Sequence, residues 1–327
     1  MIQILELFGG IGSPRIALRN MGIDVKAIDY VEIDEKAVRS YNAMFENELA
    51  YKTQSVVGYN LKPDILIHGS PCQDFSIAGK QQGADPGTET RSSLMWETIH
   101  IIEQMGVWKP RIVIWENVKN VLSKHMIHNF NRYLAEMQRL GYTNSFQVLN
   151  SMDFGLPQSR ERVFTISCLD GTYFNFMALK RKPFKHIREF LEEDVAEHYE
   201  VTQPSMLKLI NGTGNSKFNG RVEVIKDHCK TITCKQMRAP NAGVVDLGNG
   251  KYRYLTEREC WRLQGYSDAD FEAALKVHPG IPGKLNGALY KQSGNSIPVV
   301  FFEAIFEKLL GETNEKTEWQ SQQQVCS

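Results

Sequence analysis

Asp64-Ile65-Leu66-Ile67-His68-Gly69-Ser70-Pro71-Cys72-Gln73-Asp74-Phe75-Ser76 decides how the chain is read. The apolar run Ile65 to Ile67 reads as a buried strand that stops at Gly69. Ser70-Pro71 then turns the chain, because proline fixes its own φ and biases the preceding residue toward extended backbone. Cys72 follows at the carboxyl end of the strand, the edge where open α/β sheets carry ligands and chemistry. A free cysteine is most often a small core residue. The surrounding sequence sets that reading against a nucleophile poised over a cleft.

Working outward, Ile2 to Phe8 reads as a first strand, followed by Gly9-Gly10-Ile11-Gly12 and a helix from Pro14 to Met21. A second strand, Val25 to Val31, ends in Glu32-Ile33-Asp34, about 20 residues after the glycine turn. An acidic side chain at that spacing is placed to accept hydrogen bonds from ribose hydroxyls. The turn lacks the third glycine of a dinucleotide fingerprint and the Gly-Lys-Ser/Thr of a phosphate loop. An adenosine cofactor without a pyrophosphate fits, with S-adenosylmethionine first among candidates.

Helices are expected over 34–45, 94–105 and 129–140, with strands over 111–115, 145–150 and 163–167. This alternation predicts an α/β protein with a doubly wound, mostly parallel sheet. The polar, glycine-rich stretch Gln73–Ser93 reads as a lid. After Asp170 the texture changes to short β-like runs and Asn/Gly turns, with 11 Lys or Arg against 5 Asp or Glu between Val201 and Arg262. That basic, loop-rich module suits a polyanion reader, and an ordinary solvated face would look similar. Thr256 to Gln264 reads as a capped helix, Lys291 to Pro298 as a turn, Val299 to Leu310 as a last helix and 311–327 as a disordered tail.

The chain has 327 residues, 42% apolar, with no formal net charge and 6 cysteines, none in a C-x-x-C pair. A zinc site or redox dithiol is therefore not expected, nor is any metal. No secretory signal or membrane span is legible, so a cytoplasmic protein off the membrane is expected, and a monomer.

Cys72 within Gly69-Ser70-Pro71-Cys72-Gln73-Asp74-Phe75-Ser76 resembles the nucleophile motif of the C5-cytosine DNA methyltransferases, bacterial or phage type. Five further blocks resemble that family in the same order: Phe8–Gly12, Glu116-Asn117-Val118, Gln158-Ser159-Arg160-Glu161-Arg162, Leu255–Gly265 and Gly294-Asn295-Ser296. The resemblance implies a methyltransferase fold with catalytic Cys72, Glu116, Arg160 and Arg162, although the arginines could instead anchor phosphates. It implies S-adenosylmethionine held by Phe8, Gly9, Gly10, Ile11, Gly12, Glu32, Ile33, Ser55, Val56, Pro71, Leu94, Asn295 and Ser296. The acidic residue that usually meets the adenine amine is missing, and Gln54 or Ser55 could take its place.

The resemblance also implies double-stranded DNA as substrate, with methyl transfer to carbon-5 of a flipped-out cytosine. Gln73, Ser76, Gln158, Thr231, Lys235, Gln236 and Arg238 are the expected DNA contacts, with the alternative that Lys235, Gln236 and Arg238 merely support their loop. Its domains would be a catalytic domain over 1–170, a recognition domain over 171–285 and a returning segment over 286–327. A separately acting restriction endonuclease is a compatible partner. An RNA cytosine methyltransferase and a catalytically dead DNA-binding regulator are the competing readings.

Overall fold

The computed structural model describes residues 2–46, 50–57, 62–70, 94–212 and 222–324. Pro71, Cys72, Gln73 and Ser76, and with them the expected lid, lie outside the described residues.

In chain order the elements are β1 (Ile2–Leu7), α1 (Ser13–Asn20), β2 (Val25–Val31), α2 (Glu35–Met44), β3 (Ile65–His68), α3 (Leu94–Gln104), β4 (Ile112–Val118), α4 (Ile127–Arg139) and β5 (Thr143–Asn150). Then come β6 (Gln158–Ser159), β7 (Glu161–Cys168), α5 (Pro204–Asn211), β8 (Cys229–Lys230), β9 (Val245–Gly248) and β10 (Lys251–Arg253), and finally α6 (Glu257–Arg262), α7 (Asp268–Val277), α8 (Gly287–Asn295) and α9 (Val299–Gln324).

The main sheet has the order β2-β1-β3-β4-β7-β5. It is parallel from β2 to β4, and β7 then runs antiparallel to both β4 and β5. Side chains alternate across it, as the pleat requires. Ile4, Ile65, Ile67 and Ile114 enter the core under α1, α2 and α9. Leu5, Leu7, Leu66, Val113 and Trp115 enter the opposite core with α3 and α4. Burial on both faces explains the continuous apolar runs.

Glu6 is the exception within β1. It is fully buried, and the Tyr41 hydroxyl donates to its Oε2 at 2.8 Å while Arg15 donates to the Tyr41 oxygen. Burial pushes the Glu6 carboxyl up to about 7, against the opposing pull of Tyr41 and Arg15. The fold thus favours the neutral acid, whereas the unfolded carboxyl ionises near 4.5. Stability should fall as pH rises from about 4.5 to about 7, by roughly 3 kcal/mol in total. Denaturant titrations at pH 5 and pH 8 check this: Glu6→Gln should lack the loss that wild type shows, and an equal loss in both would exclude Glu6 as its source.

Two further cores lie in the second half of the chain, one around Ile187, Cys229, Ile232, Leu255 and Tyr290 and one around Val201, Met206, Val244 and Tyr254. Asn249 and Gly250 both take positive φ in the β9–β10 turn, the conformation that a tight two-residue hairpin needs.

Several expectations are corrected. Residues 202–250 were expected to hold only β-like runs, yet Pro204–Asn211 is helical, with proline at its start and Gly212 in the left-handed region at its end. The segment expected as a turn at 291–298 lies mostly in α8, which the Asn286 side chain caps. The expected disordered tail continues α9 as far as Gln324. Trp261, Tyr266, Phe271 and Ala274 pack into the core beneath the main sheet, together with residues of α1, α2 and α9. Among the described residues no helix is long and apolar enough to cross a membrane.

Candidate active site

Register brings the site together. Leu7 pairs with both Val31 and His68, and His68 pairs with Trp115. The next residues, Phe8, Glu32, Gly69 and Glu116, therefore form one row along the carboxyl edge.

At one end of this row lies the glycine turn. Phe8, Gly10 and Gly12 all have positive φ, a costly conformation for phenylalanine. Tyr30 and Tyr41 stack with centroids 3.7 Å apart beneath the turn. A methyl group on Gly9 would stand 2.6 Å from the Tyr30 ring, and one on Gly12 would stand 2.5 Å from the Tyr41 ring. Glu32 fixes the turn from the side: Gly10 N–H donates to its Oε2 at 2.9 Å, and the Ile33 and Asp34 amides donate to its Oε1. A carboxylate offers about four acceptor positions, so these three bonds leave capacity for one more donor.

Ile33 stands beside Glu32 at 76% exposure. Ile11 is buried in the core, Val56 in the core opposite, and Leu94 is half-buried at the start of α3. Gln54 donates its side-chain amide to Asp29, whereas Ser55 is exposed. Asn295 is exposed at the end of α8, while Ser296 is buried, its hydroxyl donating to the Ser293 carbonyl.

At the other end lie Glu116 and Arg162, both inside strands. Val118 pairs directly with Arg162 across the β4–β7 ladder, so Glu116, two residues earlier, shares the face of Arg162. Arg162 Nε lies 3.0 Å from Glu116 Oε1. Burial raises the Glu116 carboxyl above its ordinary range, and Arg162 and then Arg160 oppose that rise. Ser70, two residues before Cys72, is pinned to β4: Trp115 Nε1 donates to its hydroxyl at 3.1 Å, and Asn117 reaches its carbonyl. Trp115 and Tyr30 are the contributors that the sequence reading missed, although both adjoin a quoted motif.

Beyond Arg162 opens a cleft of about 740 Å³ lined by Val118, Lys119, Ser159, Arg162, Lys230 and Thr231. A larger hollow of about 870 Å³, lined by residues of α1, α2 and α7, includes none of the candidate residues and bears on packing alone.

Three of the expected contact residues are buried. Gln158, expected at a phosphate, is fully buried; it donates to the Leu263 carbonyl and accepts from the Ile232 amide. Gln236, expected at a base edge, is fully buried and bonds Ala242 and Gly243. Arg160, expected at the chemistry or a phosphate, is 2% exposed and donates to the carbonyls of Ile232, Gly294 and Ser296. Thr231 is half-buried and donates to the Ser159 carbonyl. Lys235 and Arg238 are exposed. Much of the basic excess is neutralised, with Lys230, Lys251, Arg253, Arg258 and Arg262 all in ion pairs.

Comparison with known proteins follows the same outline. Type II methyltransferase M2.ScrFI of Lactococcus lactis subsp. cremoris is 32% identical, across 94% of this chain and 99% of that protein. Orphan methyltransferase M.SPRI of Bacillus phage SPR is 25% identical, across 94% of this chain and 97% of its own. Among solved structures, the S. pombe Dnmt2 methyltransferase superposes with a TM-score of 0.74 at 19% identity, covering 96% of this chain and all of that one, a likeness of fold. The model of the C-5 cytosine-specific DNA methylases matches residues 2–311, and the chain belongs to that family.

Proposed function

We propose that the chain transfers a methyl group from S-adenosylmethionine to carbon-5 of a flipped-out cytosine in a specific duplex DNA sequence, through a Cys72 adduct at carbon-6. The observation that carries this reading is the Glu116–Arg162 pair, level with Gly69, three residues before Cys72 in sequence.

The residues at the glycine turn fit the cofactor. A side chain on Gly10 would meet open space, Glu32 keeps an acceptor position for a ribose hydroxyl, and exposed Ile33 offers an apolar face to an adenine. Phe8, Gly9, Ile11, Gly12, Ser55, Val56, Pro71, Leu94, Asn295 and Ser296 complete the proposed set. Glu32→Ala should weaken S-adenosylmethionine binding by about 1–3 kcal/mol, since it removes a charged partner and frees Gly10. Calorimetry checks this, and an unchanged dissociation constant would remove Glu32 from the site.

Carbon-5 of cytosine is a weak nucleophile. Addition of the Cys72 thiolate to carbon-6 turns the ring into an enamine and places negative charge at N3. A protonated Glu116 gives its proton to N3, and burial favours the protonated form. Arg162 is held by Glu116 and by the Glu161 carbonyl, and its remaining donors support the exocyclic oxygen. S-adenosylmethionine, when bound, supplies an electrophilic methyl group. A base, read as water, then takes the carbon-5 proton, the carbon–sulfur bond breaks to release the Cys72 thiolate, and N3 returns its proton to Glu116.

None of this chemistry fits a stacked duplex, so the base is flipped out. Gln73 and Ser76 are proposed near the target strand, with Lys235 and Arg238 reading bases or phosphates. A separately acting restriction endonuclease is compatible with this reading. Bisulfite sequencing of plasmid DNA from cells expressing the chain tests the function. Protected cytosines in one sequence context are expected; full conversion of the plasmid, together with methylation of cellular RNA, would favour the RNA reading.

A further inference from the structure

Four segments of the chain, at 158–160, 232, 263–264 and 293–296, meet at one buried polar cluster. Gln158 joins the Ile232 amide to the Leu263 carbonyl, and Gln264 donates to the Ser293 carbonyl. Arg160 lies among them, with Nη1 donating to Ile232 O at 2.8 Å and Nη2 donating to Gly294 O at 3.1 Å and Ser296 O at 2.8 Å. The two sides of one guanidinium thus hold the base of the recognition segment and the end of α8. The packing there leaves no slack: a methyl group on Gly294 would overlap the backbone of Thr233 and Cys234.

We propose that Arg160 is a positioning residue that holds the recognition segment beginning at Thr231 and the end of α8 at 294–296 in one fixed relation, thereby coupling the DNA site to the cofactor site. This inference rests on the function proposed above, which places DNA at the first segment and cofactor at the second. Arg162, two residues on, faces the cleft and Glu116. The two arginines of one short motif therefore divide the work, one gripping backbone and the other facing the reacting base.

Lysine is the discriminating substitution at residue 160. It keeps the charge and most of the volume, but a single ammonium cannot reproduce a fork spread between two segments. In Arg160→Lys, backbone amide exchange should quicken together over 231–236 and 293–296 and stay unchanged in β3 and β4. The KM values for S-adenosylmethionine and DNA should both rise about tenfold, a usual size for coupling between sites, while kcat at saturation stays within about threefold. Arg162→Lys should show the reverse split, with kcat lowered and both KM values nearly kept. Unchanged exchange in either segment overturns the proposal, as does an Arg160→Lys enzyme that loses kcat at unchanged KM. Should wild type fail to methylate DNA, the proposed function falls, and the exchange measurement still decides whether Arg160 ties the segments.

Discussion

Cys72→Ser is expected to lower methyl transfer by a factor on the order of 10⁴ or more, the scale seen when a covalent nucleophile is removed. The physical reason is ionisation. A thiol can reach the thiolate near neutral pH, and the thiolate is the attacking species, whereas a serine hydroxyl at the same position stays protonated without a strong base beside it. Ser70, two residues before Cys72 in sequence, is held by Trp115 and Asn117 and so is anchored independently of the thiol. S-adenosylmethionine affinity should therefore remain within about twofold of wild type, because an uncharged, similar-sized side chain replaces a group with no assigned cofactor contact. Initial rates on plasmid DNA and calorimetry on the same preparation check both halves. Methylation by Cys72→Ser at a tenth of the wild-type rate would exclude the covalent route.

Glu116→Gln should cost roughly 10²–10⁴ in kcat, the usual range for losing a positioned acid. Its pH profile carries the sharper test. Burial raises the Glu116 carboxyl, and the proposed step needs it protonated. Activity should therefore be full below its folded pKa and fall as pH rises through it, on an alkaline limb that Glu116→Gln lacks. Arg162 opposes the rise, so removing its charge with Arg162→Met should move that limb to higher pH. A limb that persists unshifted in Glu116→Gln would assign the titration to another group.

Much of this arrangement was legible because local chemistry dictates it. The runs at 2–7, 65–68 and 112–118 put apolar residues on both faces, Gln3, Glu6, Glu116 and Asn117 apart, so their place in a covered sheet follows largely from composition. Gly10 and Gly12 take the left-handed backbone that a glycine-rich turn announces. The Thr256 helix shows the expected cap, with Glu259 returning the bond in a capping box.

Burial of polar side chains was not legible. Gln158, Arg160 and Gln236 are polar residues in polar stretches, and only tertiary packing turns them inward. Helix α8 escaped notice because its Gly, Asn and Ser content suits a turn, while Leu289 and Tyr290 fix it through contacts distant in sequence. The antiparallel β7 escaped as well, since strand direction depends on how the chain returns rather than on the strand's own residues.

The central claim is the covalent adduct, and trapping tests it most directly. In duplex DNA with 5-fluorocytosine at the target position, the methylated adduct cannot lose fluorine as it would lose a proton, so release of the Cys72 thiolate is blocked. A protein–DNA complex that survives denaturant should accumulate with wild type only when S-adenosylmethionine is present, should be absent with Cys72→Ser, and should carry the DNA on the peptide containing Cys72. Steady methylation of normal DNA with no trapped complex on the fluorinated duplex, or a complex mapped to another residue, would contradict the account.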